Sequence, residues 1–161
     1  MEISAGGIVF TRRPDGPHVA FIRDAHGKWT FAKGHVRIAK GESLEAGAVR
    51  ETEEEMGLHS LRVIEKLGTT DIWFRDRFQH KGALVHKFIT YFLMEAPPGS
   101  KAKLRAQPLD LPEGKEPPPE EIVWVPLAEA SNVAIYPNTV GMLKKAIKGI
   151  KKISIEPGSR R

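Results

Sequence analysis

The sequence predicts an α/β domain, because short strand-like runs alternate with a few helical stretches. The runs are rich in β-branched and aromatic residues, and the helical stretches show apolar residues at helical spacing. The length of 161 residues, with 40% hydrophobic and 28% charged residues, fits one globular domain with its own core. We therefore predict a single domain over residues 1–153, with helices around a mixed sheet, and a basic tail over residues 154–161.

The first elements are a hairpin, a short strand and a loop. Strand composition alternates here with clusters of proline, glycine and aspartate, which indicate turns. We predict strands at residues 3–11, 19–23 and 29–31, turns at 12–17 and 24–28, and a glycine-bearing loop at 33–42.

The next element, a helix ending at Met56, has the clearest boundaries. Ser43 is a favourable N-cap residue, and Gly57 stands where a left-handed C-terminal cap belongs. Apolar side chains recur between these two positions at helical spacing, with Thr52 among them. A buried stripe along this helix is therefore expected.

The remaining elements are two long strands, a long loop, a strand and two helices. The loop is rich in Pro, Gly and Lys, and it is longer than a routine connection, so we expect it to be mobile and to border a substrate entrance. We predict strands at residues 61–73, 85–94 and 122–125, a polar connection at 75–82, the loop at 97–119, and helices at 127–130 and 139–150.

Composition excludes several classes of protein. The sequence has no cysteine, which excludes disulfides, thiolate metal ligands and cysteine nucleophiles. It has neither a membrane-length apolar run nor a secretory signal, so we expect a cytoplasmic protein that does not contact membranes. The net charge of +5 is concentrated in residues 144–161. A solvated helix face explains this charge more simply than an RNA-binding surface does, although RNA remains an alternative.

Glu51, Glu54 and Glu55 are the strongest candidates for chemistry. Their i, i+3 and i+4 spacing places the three carboxylates on one helical face. Such clustering is mildly destabilising without a cation, and carboxylate oxygens are the ligands that hard divalent ions such as Mg²⁺ prefer. The spacing predicts a metal site, whereas the alternative is an acidic face on a surface helix.

The surrounding residues decide between these two interpretations. Glu42 is followed, after seven residues, by Arg50-Glu51-Thr52-Glu53-Glu54-Glu55-Met56-Gly57-Leu58. This segment resembles the box of the Nudix hydrolase family, G-x5-E-x7-R-E-U-x-E-E-x-G-U, in which U is aliphatic. The chain departs from the box in three ways: seven residues instead of five separate Gly34 from Glu42, Ala32 stands where proline is frequent, and Thr52 stands at an aliphatic position.

The resemblance implies a Nudix-type α/β/α sandwich and a Mg²⁺ or Mn²⁺ cofactor. Glu54 and Glu55 would be metal ligands, Glu51 a ligand or the general base, and the carbonyl of Gly34 a further metal contact. Arg50 would orient a box carboxylate. In some relatives the base lies outside the box, and Glu120 is the candidate for that role here, unless it is simply solvated.

The chain looks most like the asymmetric diadenosine tetraphosphate (Ap4A) hydrolase branch of the family. In that branch aromatic rings hold a base, which implies that Tyr91 stacks on it together with Trp73 or Phe74. Side chains alternate along a strand, so Trp73 and Phe74 cannot both face the site. Three further candidates for substrate contact are Lys33, His35 and Lys87.

The resulting function is metal-dependent hydrolysis of a phosphoanhydride bond in a nucleoside diphosphate derivative. The favoured reaction converts Ap4A to ATP and AMP. The alternatives are a nucleoside triphosphate or oxidised-nucleotide pyrophosphatase, an RNA 5′-end pyrophosphohydrolase, and a non-catalytic nucleotide-binding Nudix module. The partner is a small nucleotide, and the sequence leaves the oligomeric state open.

Overall fold

The structure is a computed structural model that describes residues 1–76, 81–102 and 119–155. Most of the long loop at 97–119 and of the basic tail at 154–161 lie outside these residues. In the described part of the chain, no helix is both long and apolar enough to span a membrane.

Seven strands in the described residues form one mixed sheet. The order along the sheet is β3-β2-β1-β6-β5, with β4 paired to β1 and β7 paired to β2. The β1–β6 pair is parallel and the other pairs are antiparallel. The strands are β1 (Glu2–Arg13), β2 (Gly16–Arg23), β3 (Trp29–Thr30), β4 (Ala32–His35), β5 (Arg62–Arg75), β6 (Leu84–Glu95) and β7 (Glu121–Pro126).

Two helices cover opposite faces of this sheet. Helix α1 (Leu44–Met56) covers the face that holds Ala5 and Val9, and helix α3 (Pro137–Ile155) covers the face that holds Ile8 and Phe10. A short helix, α2 (Leu127–Ala130), follows β7. The predicted α/β/α sandwich with a mixed sheet is therefore confirmed.

The caps of α1 are those the sequence predicts. The Ser43 side chain accepts a hydrogen bond from the N–H of Ala46 at 3.1 Å, and Gly57 adopts a left-handed conformation with φ of 62°. Thr52 is completely buried on the inner face of the helix. Within the described residues its hydroxyl has no hydrogen-bond partner, in keeping with the aliphatic residue usual at this position.

Several boundaries differ from the sequence-based prediction. The hairpin ladder continues to the Arg13–Gly16 pair, so the predicted six-residue turn contracts to Pro14 and Asp15. Pairing with β1 makes a strand, β4, of residues that were predicted as the start of a loop. Helix α3 extends beyond residues 139–150 at both ends, since Pro137 is suited to the first helical turn and Ile153 still packs against the core.

Candidate active site

Arg50 is the centre of a charged network on the outer face of α1. Its guanidinium donates to both carboxylate oxygens of Glu42, at 2.7 and 2.9 Å, and to Glu51 at 2.8 Å. It also lies 3.5 Å from Glu54 and donates to the backbone carbonyl of His35 at 3.0 Å. One arginine therefore neutralises and orients several box carboxylates, which is the pairing that the sequence predicts for Arg50.

Glu42 closes the loop that precedes α1. It accepts hydrogen bonds from Arg50 and from the N–H of Arg37 at 2.9 Å, and these contacts lower the pKa of Glu42 to about 2. The same Glu42 bonds raise the pKa of Arg50 above its usual range. The longer segment between Gly34 and Glu42 is accommodated by a 3₁₀ turn over Ile38–Lys40, which ends at Gly41 with φ of 81°.

The box carboxylates reach β4 at two places. The Glu51 carboxylate packs directly over Gly34, where any Cβ would overlap with it. The Glu55 carboxylate accepts a hydrogen bond from the N–H of Lys33 at 3.3 Å. A short strand with a glycine in it therefore brings the backbone close to two of the predicted metal ligands.

The donor atoms fit a hard divalent cation. Glu51, Glu54 and Glu55 supply carboxylate oxygens from one helix face, and a side chain at position 34 would displace the first of them. Among the described residues, no three acidic or imidazole side chains already converge on one ion position. Arg50 instead provides the positive charge between Glu51 and Glu54, so these carboxylates would have to reorient to hold a metal.

A cavity of about 540 Å³ lies on the α3 face of the sheet. One wall is apolar and includes Ile72, Phe74 and Ile89, whereas Lys33, Lys87 and Arg75 add positive charge. Lys87 is only 5% exposed, so its cationic group is held within the protein beside this wall. The lining residues are Asp24, Ala25, His26, Thr30, Lys33, Ile72, Phe74, Arg75, Lys87, Ile89, Tyr91, Tyr136, Asn138 and Thr139.

Lys33 joins the cavity to the carboxylate helix. Its backbone N–H binds Glu55, and the same residue lines the cavity. Electrostatics agree with this proximity, because the phenol of Tyr91 senses both the Lys33 and the Glu55 charges, while burial raises the pKa of Tyr91. Glu55, one of the box glutamates, is therefore connected through Lys33 to the cavity.

The cavity lining also includes a contact that sequence reasoning missed. The Tyr136 hydroxyl donates to Asp24 at 2.5 Å, across 112 positions of the chain. Burial by itself raises the pKa of Asp24, but hydrogen bonds from Tyr136, Lys28 and His26 outweigh this effect and lower it. No local pattern connects the turn after β2 with the start of α3, so only the fold reveals this wall.

The three aromatic residues predicted to contact a base have different surroundings in the structure. Phe74 lines the cavity, but Trp73 points to the other face of β5, where it is 60% exposed and stacks on His86 at 4.0 Å. Tyr91 borders the cavity, yet it is 0% exposed and its ring packs edge-on against Phe31. Because the ring is fully buried, Tyr91 offers no open face for a base in this structure.

Two further candidates lie away from the cavity lining. The side chain of His35 is 3.4 Å from Glu2, and only its backbone carbonyl takes part in the network around Arg50. Glu120 is exposed and pairs with Arg23 at 3.7 Å. The structure therefore groups neither side chain with the box carboxylates, because strand pairing directs each of them to another partner.

Comparison with known proteins gives independent evidence of the family to which the chain belongs. A family model described as the NUDIX domain matches residues 3–145. A protein from Mycobacterium tuberculosis (strain CDC 1551 / Oshkosh), described as "Putative mutator protein MutT4", is 31% identical over 160 residues. That alignment covers 94% of this chain and 57% of the relative, so the chain spans little more than half of the relative's length.

Solved structures show the same fold at lower identity. A C. elegans Ap4A hydrolase in a binary complex has a TM-score of 0.64 at 20% identity, covering 90% of this chain and 94% of that one. An E. coli dihydroneopterin triphosphate pyrophosphohydrolase has a TM-score of 0.65 at 14% identity, covering 91% and 95%. The family match spans the sheet, the box helix and the cavity residues, and from it we conclude that this chain belongs to the NUDIX domain family.

Proposed function

We propose that this chain is a metal-dependent pyrophosphohydrolase that cleaves a phosphoanhydride bond in a nucleotide derivative. The observation that carries the proposal is the position of Lys33, which binds Glu55 through its backbone and lines the cavity. A nucleotide held in the cavity therefore has its phosphates next to the carboxylate helix. Arg50, Glu51, Glu54 and Glu55 are all present, unlike in a binding module that has lost its catalytic carboxylates.

Each box residue has a distinct task in this proposal. Glu51, Glu54 and Glu55 hold Mg²⁺ or Mn²⁺, which when bound neutralises phosphate charge and lowers the pKa of the attacking water. In this proposal Glu51, which packs against Gly34 of β4, is also the general base that accepts the proton of that water. Arg50 positions Glu51, and Glu42 anchors Arg50 through two hydrogen bonds.

The cavity favours a nucleotide with several phosphates. Its apolar wall accepts a base, and Phe74 provides an aromatic surface on which stacking is worth about 1–3 kcal/mol. Lys33, Lys87 and Arg75 supply positive charge for a polyphosphate chain. We favour Ap4A, in which the oxygen of water joins one phosphorus, the anhydride bond to its neighbour breaks, and the products are ATP and AMP.

A nucleoside triphosphate is the second candidate. It is suggested by the name of one structural neighbour, a dihydroneopterin triphosphate pyrophosphohydrolase, which refers to a triphosphate. A triphosphate would occupy the same cavity with one base, and the products would be a monophosphate and pyrophosphate. The two candidates therefore differ in product and not in the site they require.

A substrate screen with product identification by mass separates them. The panel contains Ap4A, the ordinary and 8-oxo nucleoside triphosphates, ADP-ribose and triphosphorylated RNA, each with Mg²⁺ and with Mn²⁺. We expect ATP and AMP from Ap4A, with oxygen from labelled water in one product. Turnover of 8-oxo-dGTP or ADP-ribose alone would refute the Ap4A assignment, and no turnover of any compound would refute the hydrolase proposal.

A further inference from the structure

The exposed side of α3 carries a stripe of lysines. The helix Pro137–Ile155 contains five lysines and no acidic residue. All five are exposed, and their spacing of three or four residues places them on one side of the helix. None of the ion pairs between described residues includes any of them. The five are Lys144, Lys145, Lys148, Lys151 and Lys152.

The apolar side of the same helix is already buried in the core. Leu143 is 4% exposed, and Ala146 and Ile150 are 0% exposed. A membrane-surface helix inserts its apolar face between lipids, whereas these residues of α3 are packed against the sheet. The lysine stripe therefore fits a polyanion in solution better than a lipid surface.

A groove of about 560 Å³ runs beside this stripe. Pro17, near the start of β2, and Leu127, at the start of α2, form its apolar part, and lysines form its rim. The residues that line it are Pro17, Leu127, Lys148, Lys151, Lys152 and Ser154. We call this feature the lysine groove.

We propose that the lysine groove binds a segment of single-stranded nucleic acid. Lys148, Lys151 and Lys152 would contact successive phosphates, while an unpaired base would lie against Pro17 and Leu127. Charge complementarity and the apolar surface together favour this ligand, because a single strand carries both phosphates and exposed flat rings. An acidic peptide would match the lysines, but its carboxylate side chains would leave the apolar surface uncovered.

The lysine groove is separate from the nucleotide cavity. Along α3, the twelve residues from Thr139 in the cavity to Lys151 in the groove span about 18 Å. Along β2, the seven residues from Pro17 to Asp24 span about 23 Å. Binding in the groove therefore leaves the cavity accessible, and changes in the groove should not alter turnover of free nucleotides.

The test compares two triple variants of the full chain, each of which loses three positive charges. One is K148Q/K151Q/K152Q, and the control is K66Q/K81Q/K101Q, whose lysines are also exposed but lie outside the groove. Fluorescence anisotropy with a labelled oligouridylate gives the association constant over a series of salt concentrations. Thermal unfolding and turnover of free nucleotide confirm that both variants are folded.

For the groove variant we expect weaker binding. The slope of the logarithm of the association constant against the logarithm of the salt concentration should be shallower by about 2, since each lost phosphate contact contributes about 0.7 for a single strand. The control variant should retain the wild-type constant and slope, and turnover should stay unchanged in both. Equal losses in the two variants, binding of duplex as tight as single strand, or binding of polyglutamate as tight as oligouridylate would each overturn the proposal.

Discussion

Gly34→Ala tests the contact between β4 and the carboxylate helix. A Cβ at position 34 would overlap with the Glu51 carboxyl group, so the side chain of Glu51 must swing away. The obstructing atoms are the end of a flexible side chain, and the stability cost should therefore be about 0.5 kcal/mol or less. Catalysis is more sensitive, because misplacing a catalytic group by about 1 Å costs about 10²-fold in rate.

The assay measures kcat, the Mg²⁺ concentration for half-maximal rate, and the thermal unfolding midpoint of one preparation. We expect kcat to fall by about 10²-fold and the half-maximal Mg²⁺ concentration to rise, with little change in Tm. Gly141→Ala is the matched control, since nothing lies within 4 Å of its new Cβ. On α3 it should stabilise by about 0.5–1 kcal/mol and leave kcat unchanged. A Gly34→Ala enzyme within threefold of the wild-type rate would refute this reasoning.

Five further variants address other parts of the protein. Glu55→Gln should lower kcat by at least about 10²-fold at unchanged Tm, and wild-type turnover by this variant would remove Glu55 from the site. The pKa of Glu42 is lowered in the folded state from its ordinary value of 4.5 to about 2, so its contribution to the free energy of unfolding is complete above pH 4.5 and is lost as the pH falls towards about 2. In urea unfolding, Glu42→Gln should therefore lose less stability between pH 6 and pH 3 than the wild type does. Phe74→Ala should raise KM for the nucleotide while Trp73→Ala leaves it unchanged, and the reverse pattern in steady-state kinetics would place the base on the other face of β5. Thr52→Val removes a buried hydroxyl that has no partner among the described residues, and it should raise the free energy of unfolding by about 1 kcal/mol. A lower free energy of unfolding for this variant in denaturant melts would contradict the prediction.

The parts of the fold that local chemistry determines were predictable from the sequence. Ser43 and Gly57 define α1 because capping depends on residues within one turn of the helix end. The shared face of Glu51 and Glu55 follows from helical geometry alone. In contrast, β4 forms only because β1 pairs with it, and no short-range pattern in residues 32–35 indicates this pairing.

The substrate side of the site depends on contacts between distant segments. Strand alternation predicts that Trp73 and Phe74 face opposite ways, but the packing of α3 decides which of them lines the cavity. Tyr91 carries an aromatic ring in a β-strand whether it faces a ligand or the core, so its complete burial could not be inferred from its type. The contact between Asp24 and Tyr136 joins two turns that are far apart in sequence.

Arg50, which binds Glu42 through two hydrogen bonds, affects whether the protein needs a metal ion in order to fold. Because the Arg50 guanidinium also pairs with Glu51 and Glu54, part of the acidic charge on α1 is already offset, and the helix can form and pack without an ion. Folding would then not depend on metal binding, in contrast to small zinc domains that remain unfolded until the ion binds. A chelator should therefore abolish activity reversibly. The fold should remain intact, and activity should return when the ion is added back.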